Sequence, residues 1–377
     1  MSYAPSAAFS PRLHAVRRAM AERTLDALVV TSLSNVFYLT NFTGSAGILV
    51  LTPDKVWFIS DFRYATAVSN LAESGHACPG LELFPMNGSY ETTLTKLLSA
   101  GGRIGFEAAH VTVDRHAWLV AALAKSAPAA TLVSTVGLVE ALRVRKDEYE
   151  IATLRDAARR LSGVAARIMA DVRRGRTERE VAMTIDLRIR EAGFSAPAFE
   201  TIVASGANAA LPHATPGERI LGEGDLVVLD FGGVYDSYCV DLTRTVSIGV
   251  ASGRAREVYG AVRDAHDRAI AAVAPGRSPF EIDQAARDAL TEKGLGEAFG
   301  HGTGHGLGIE VHEEPRIARR RPELDTRDET LLAGMVFTIE PGAYLPGWGG
   351  VRIEDDVLVT DIGVEVLTDV TTELIEI

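Results

Sequence analysis

Two stretches of this chain, about a hundred residues apart, carry the same punctuation. Gly175, Arg176, Thr177, Glu180, Val181 and Gly193 recur as Gly276, Arg277, Ser278, Glu281, Ile282 and Gly294 at identical internal spacing. In each copy a hydroxyl residue precedes a glutamate by three positions, which is a capping box opening a helix, and a glycine closes that helix. After each copy comes an apolar run ending in an acid, GDLVVLD at Asp230 and GMVFTIE at Glu340, and then a second acid, Asp241 and Glu354. A chain built this way is constrained to two similar halves. Facing each other across a pseudo-twofold axis, they bring four carboxylates to one central site.

That duplication occupies only the later part of the 377 residues, a length for which two domains are the ordinary expectation. Ser10-Pro11 predicts a helix start, an N-cap with proline at the first helical position. Short apolar runs at Ala27–Val30, Ile48–Leu51 and Val56–Ile59, broken by turn residues such as Thr52-Pro53-Asp54, predict strands. Residues 1–139 therefore read as a small α/β domain. The charged run EALRVRKDE, residues 140–148, reads as a linker to a domain spanning 149–377. That domain opens on a long helix: Ile151, Leu154, Ala158, Leu161, Ala165, Ile168 and Val172 fall three and four apart, with Gly175 as the stop.

Composition narrows the function. A net charge of −12 would be repelled by nucleic acid or an anionic membrane, so neither is expected as a partner. No apolar run reaches the ~20 residues of a membrane span, and MSYAPSAAFSPRLHAVRR lacks the apolar core of a secretory signal. With only Cys78 and Cys239, no disulfide framework is expected, and a cytoplasmic location follows.

The acids acquire meaning beside the segment GHGTGHGLGIEVHEEP, which holds His305 and His312 seven residues apart among glycines. A buried, unpaired carboxylate costs several kcal/mol. Any one of Asp230, Asp241, Glu340 or Glu354 could be a strand-end acid facing solvent. All four together with His305 form the oxygen-rich set that two adjacent divalent cations take, and such cations would neutralise their mutual repulsion. Two cations would supply a nucleophilic water at neutral pH and polarise a carbonyl. One imidazole among carboxylates favours Mn²⁺, with Co²⁺ and Zn²⁺ as alternatives. No phosphate-loop or dinucleotide fingerprint explains the glycines around His305, which are expected to allow close backbone approach. His14 and His266 fall in helical patterns, and His76, His110 and His116 lack ligand-spaced neighbours, so these are expected to be ordinary surface or core residues.

The motifs LPHATPG, LDFGG followed by DLTRT, GTGHGLGIEVHEEP, TIEPG and GGVRIED occur in the order and spacing of a known family. Over almost its whole length the chain resembles the pita-bread metallopeptidases, in the branch comprising Xaa-Pro aminopeptidase (aminopeptidase P) and Xaa-Pro dipeptidase (prolidase). The resemblance implies an α/β (α+β) fold: a duplicated pita-bread domain preceded by a smaller creatinase-like α/β domain. It implies two divalent metal ions held by Asp230, Asp241, His305, Glu340 and Glu354, with Asp241 and Glu354 bridging. It further implies Glu340 as the proton shuttle, His213 and His312 at the substrate, Arg352 as a partner of the carboxylates and His301 in the site wall. Substrates would be proline-containing peptides, and family members are commonly homodimers.

Two features separate the branches. NVFYLTNFTGSAG and SDFRY look like the short bacterial aminopeptidase P proteins, and on these the chain is read as an Xaa-Pro aminopeptidase. Arg316, in HEEPRI, stands where some prolidases bind the free carboxylate of a dipeptide, so prolidase is the alternative; beside Arg319, Arg320 and Arg321 it could equally be a solvated loop charge. A binding protein that keeps the fold without catalysis is a third reading, weakened because all five ligand positions match. Methionine aminopeptidase is a fourth, but its core has no N-terminal domain of this kind.

Overall fold

The computed structural model describes residues 3–320 and 330–377, and the chain divides into two compact units, Met1–Arg143 and Val144–Ile377.

The first unit is a six-stranded sheet of β1 (Ala27–Val30), β2 (Ile48–Leu51), β3 (Val56–Ser60), β4 (Leu81–Pro85), β5 (Arg103–Glu107) and β6 (Thr131–Thr135). Their order is β4-β3-β2-β1-β5-β6, with β2 antiparallel to both β1 and β3 and the remaining pairs parallel. The apolar runs of β1 and β2 are buried at every position, as strands covered on both faces require. Val29, Val50, Ile104, Leu119 and Leu123 share their core. The first helix departs from the sequence expectation: it runs from Ser6 to Glu22 and carries Pro11 in its interior. The added turn buries Phe9, and exposed Pro11 removes a single backbone donor, so burial outweighs the proline signal.

The second unit opens with a capping box at Asp147 and Glu150 and a helix Glu148–Ile168. This helix stops short of the expected Gly175, because the chain turns at Asp171 and Val172, whose amides both donate to the Ile168 carbonyl. Val172 is nevertheless fully buried, which is why it extends the apolar period beyond the helix. The unit's strands are β7 (Ala196–Pro197), β8 (Ile202–Ser205), β9 (Leu226–Tyr235), β10 (Tyr238–Ser247), β11 (Gly304–Gly306), β12 (Glu313–Ile317), β13 (Val336–Ile339), β14 (Gly342–Leu345), β15 (Gly349–Arg352), β16 (Asp355–Val359), β17 (Val364–Val366) and β18 (Ile375–Glu376). One sheet has the order β18-β10-β9-β7 with β8 also on β9, another β12-β11-β13-β16-β17, and β14 pairs with β15. An antiparallel bridge between Thr243 and Glu354 joins the two larger sheets.

The duplication is visible in the backbone. Thr177 with Glu180 and Ser278 with Glu281 both form complete capping boxes, on helices Glu178–Glu191 and Pro279–Glu292. Just before each helix the chain pairs with the segment leading to its acid-bearing strand. Gly175 donates to Leu221 O and Leu221 to Arg176 O, while Gly276 donates to Leu331 O and Leu331 to Arg277 O. Six residues before each acid sits a glycine in the left-handed region, Gly224 at φ 82° and Gly334 at φ 91°. These bond across to Ile248 O and Val359 O, so the two halves deliver Asp230 and Glu340 by the same local route.

Candidate metal centre

The site grows out of the hairpin β9–β10. Thr243 lies opposite Asp230 and Gly232 opposite Asp241 in its register, so the alternation of a strand puts Asp230, Asp241 and Thr243 on one face. Gly232 is glycine for a steric reason. A Cβ there would lie 2.5 Å from Val240 O and 2.7 Å from the Phe199 ring. Across the Thr243–Glu354 bridge, the Glu354 amide donates to Thr243 O (3.1 Å) and Thr243 Oγ1 donates to Glu354 Oε2 (2.6 Å).

His305 arrives on β11, which is pressed against its neighbours. A Cβ on Gly304 would lie 1.8 Å from Thr338 O, and one on Gly306 would lie 2.2 Å from Glu314 O. The glycines flanking His305 therefore permit close backbone approach, as the sequence suggested. His305 Nδ1 lies 3.1 Å from Gly306 O, and donation there leaves the Nε2 lone pair facing Glu340, whose Oε1 is 3.7 Å away. Glu340 is fixed by its amide, which donates to Thr303 O at 2.7 Å.

One potential donor atom from each of Asp241, His305 and Glu354 falls within 4.8 Å of the others. Asp230, Glu340, His213 and His312 join these three in the wall of a cavity of about 290 Å³. The His305 and His312 rings stack edge to face with centroids 4.3 Å apart. Three of the expected site residues, His301, Arg316 and Arg352, do not line this cavity. His301 stands behind it, with Nε2 2.8 Å from the Tyr344 hydroxyl and Nδ1 2.8 Å from Gly302 O. Arg316 is exposed on β12, directly opposite His305 in register. Arg352 is buried and pairs with Asp230 Oδ2 through Nη2. It also donates from Nη1 to the Tyr344 hydroxyl (2.7 Å) and from Nε to Thr243 Oγ1 (3.2 Å), and so reaches Glu354 through Thr243.

The electrostatics are those of crowded buried acids. Burial, and then the charges of Asp230, Asp356 and Glu340, push the Asp241 carboxyl well above its usual range. Glu354 is raised in the same way by burial and by Asp241, Glu340 and Asp230. Glu340 is pushed up to about 8, chiefly by burial and against the opposing charge of Arg352. Burial, and then the neighbouring His312, lower His305 to about 4, so its imidazole is neutral at pH 7. Asp230 Oδ1 is buried with no hydrogen-bond partner. Orphaned and mutually repelling oxygens beside one neutral imidazole are the hard donor set that fits divalent cations.

The supporting residues were not all foreseen. Thr243 was readable, because it stands two after Asp241 and shares its strand face. Tyr344 carried no local signal. Neither did two clamps set by tertiary contacts. Glu178 accepts from Ser205 N (2.8 Å), Asn208 Nδ2 (3.1 Å) and Gly217 N (3.2 Å), closing the loop that presents His213. Asp283 accepts from Thr303 N (3.1 Å) and Oγ1 (2.8 Å), and its partner Arg287 holds Phe299 O, so together they fix the chain entering β11.

Comparison with known proteins agrees with this architecture. Residues 152–361 match the model of metallopeptidase family M24, and residues 12–145 match the creatinase/prolidase N-terminal domain. An uncharacterised peptidase of Bacillus subtilis, YqhT, is 38% identical over 366 residues, 97% of this chain and 99% of that protein. The structure of an Xaa-Pro dipeptidase from Bacillus anthracis superposes with a TM-score of 0.90 at 37% identity, covering 98% of this chain and 99% of that one. An X-Pro aminopeptidase from Thermotoga maritima gives 0.85 at 31% identity, covering 96% and 100%. With its duplicated pita-bread unit, its buried acids and its N-terminal α/β unit, the chain belongs to metallopeptidase family M24.

Proposed function

We propose that the protein is an Xaa-Pro dipeptidase that hydrolyses the bond before proline in dipeptides, with Asp230, Asp241, His305, Glu340 and Glu354 holding two divalent ions. Asp241, His305 and Glu354, whose donor atoms lie within 4.8 Å of one another, would contribute to holding them, and the oxygen-rich donor set favours Mn²⁺ over Co²⁺ or Zn²⁺. When bound, the ions supply charge that activates water and polarises the scissile carbonyl. The chain's own groups do the rest. Glu340 takes a proton from the attacking water as the new C–O bond forms, and passes it to the proline nitrogen as the C–N bond breaks. His213 and His312, exposed in the cavity wall, donate to the carbonyl oxygen as it gains charge. Partial desolvation by the cavity wall holds His312 below the usual imidazole range, and so it meets the substrate as a neutral donor. Arg352 keeps Asp230 and Glu354 oriented through its ion pair and through Thr243.

The observation favouring a dipeptide is Arg316. Residues directly opposed on antiparallel strands leave the same face of a sheet, so Arg316 shares the face of His305, and its guanidinium is exposed. A dipeptide ends one residue beyond the scissile bond, and its carboxylate needs a cation there. A longer peptide continues at that point as a neutral amide. The aminopeptidase reading keeps the support of the NFTGSAG and SDFRY segments and of the Thermotoga maritima likeness. Arg316→Ala decides between them. Dipeptide kcat/KM should fall roughly 10–100-fold, the ~1.5–3 kcal/mol of a charged hydrogen bond, while an Xaa-Pro tripeptide barely changes. A wild-type protein that prefers tripeptides, with a silent Arg316→Ala, would establish the aminopeptidase instead.

A further inference from the structure

We infer that Glu200 selects the residue before proline, favouring a cationic side chain, lysine or arginine, at that position. This rests on the Xaa-Pro reading of the site.

Glu200 lines the cavity and is exposed within it, beside the apolar wall of Phe199, Ile202, Ala214 and Val311. Among the described residues its carboxylate has no hydrogen bond or ion pair, unlike Asp230 and Glu354 in the same wall. The backbone around it is nonetheless fixed. The Ala198 amide donates to Gly232 O (3.1 Å), the Phe199 ring fills the space over Gly232, and buried Thr201 donates to Asp186 Oδ1 (2.6 Å). A free carboxylate on a pinned segment is available to a ligand at little ordering cost.

Register determines which part of a substrate it meets. Ile202 lies opposite Asp230 in the β8–β9 pair, so the side chain beside the reaction centre on this wall is Ile202. Glu200 stands two residues further out, roughly 7 Å along the chain. The α-amino nitrogen of an Xaa-Pro substrate is two bonds from the scissile carbon, and so lies among the inner acids, short of Glu200. A lysine or arginine side chain carries its charge four to six bonds beyond its Cα and spans that distance along the apolar wall. Its stem would pack on Phe199 and Ile202, with its head at the carboxylate. An acidic residue in the same place would meet like charge.

The test compares kcat/KM for Lys-Pro, Leu-Pro and Glu-Pro in the metal-loaded wild type, in Glu200→Gln and in Glu200→Lys. The wild type should prefer Lys-Pro to Leu-Pro and disfavour Glu-Pro, each by roughly 3–10-fold, as a half-solvated pair provides. Glu200→Gln should bring the three together, and Glu200→Lys should invert the order. Unchanged ratios, or an equal fall for all three substrates, overturn the proposal, the latter by pointing to the α-amino group. If the protein instead prefers tripeptides, the dipeptidase reading fails, but the same ratios read on Lys-Pro-Ala, Leu-Pro-Ala and Glu-Pro-Ala still decide the role of Glu200. If no Xaa-Pro substrate is cleaved, both fall.

Discussion

At the scale of single residues, Asp241, His305 and Glu354 each offer an atom close to the other two. Removing Asp241 or Glu354 takes one carboxylate from the atoms within 4.8 Å of each other, and Glu354 also receives the Thr243 hydroxyl. Asp241→Ala and Glu354→Ala should each lose at least one ion per chain by elemental analysis. Hydrolysis should fall by orders of magnitude and recover poorly with added Mn²⁺. His213→Ala and His312→Ala should behave oppositely, losing turnover while metal content stays near wild type. A His312→Ala protein stripped of metal would move that residue among the ligands. The acids were legible in the sequence because a carboxylate closing an apolar strand is expensive unless compensated, and because the two halves repeat the arrangement. Tyr344, Glu178 and Asp283 were not, since each acts on a partner far along the chain that no local pattern indicates. Glu178 reaches Gly217, and Asp283 reaches Thr303.

Elements were readable where chemistry is local. The two capping boxes and the strands at Ala27–Val30 and Ile48–Leu51 stand where propensity and turn residues put them. The helix start at Ser10-Pro11 was misread because burial of Phe9 overrode the proline, and the stop at Gly175 because buried Val172 continues the apolar period past the turn that ends the helix. Thr177→Ala and Ser278→Ala should therefore each cost about 1 kcal/mol of stability in chemical denaturation, with hydrolysis retained, because among the described residues each cap hydroxyl accepts only from the first turn of its own helix. Gly304→Ala should behave differently. Its Cβ would collide with backbone at Thr338 O, so β11 cannot stay against β13 and His305 must move. That substitution should lower metal content as well as stability. A Gly304→Ala protein with full metal and normal turnover would show that β11 is free to shift.

For the whole molecule, the duplicated halves converge on acids that a metal-free protein tolerates poorly. Glu340 has its folded value raised to about 8 against an ordinary 4.5. Between those values the folded state binds more protons than the unfolded state, so the metal-free protein loses stability as pH rises through that window. Divalent ions bind the ionised site and oppose this loss. The gain in melting temperature on adding Mn²⁺ to chelator-treated protein should therefore widen from about pH 5 to pH 8. A gain independent of pH would place the ions away from these acids. The measurement bearing most directly on the account follows metal content and Xaa-Pro hydrolysis together, on the wild type as chelator removes its ions and Mn²⁺ restores them. Two ions per chain are expected at full activity, with hydrolysis lost as they leave. Full hydrolysis by metal-free protein, or a site that saturates at one ion, would contradict this expectation.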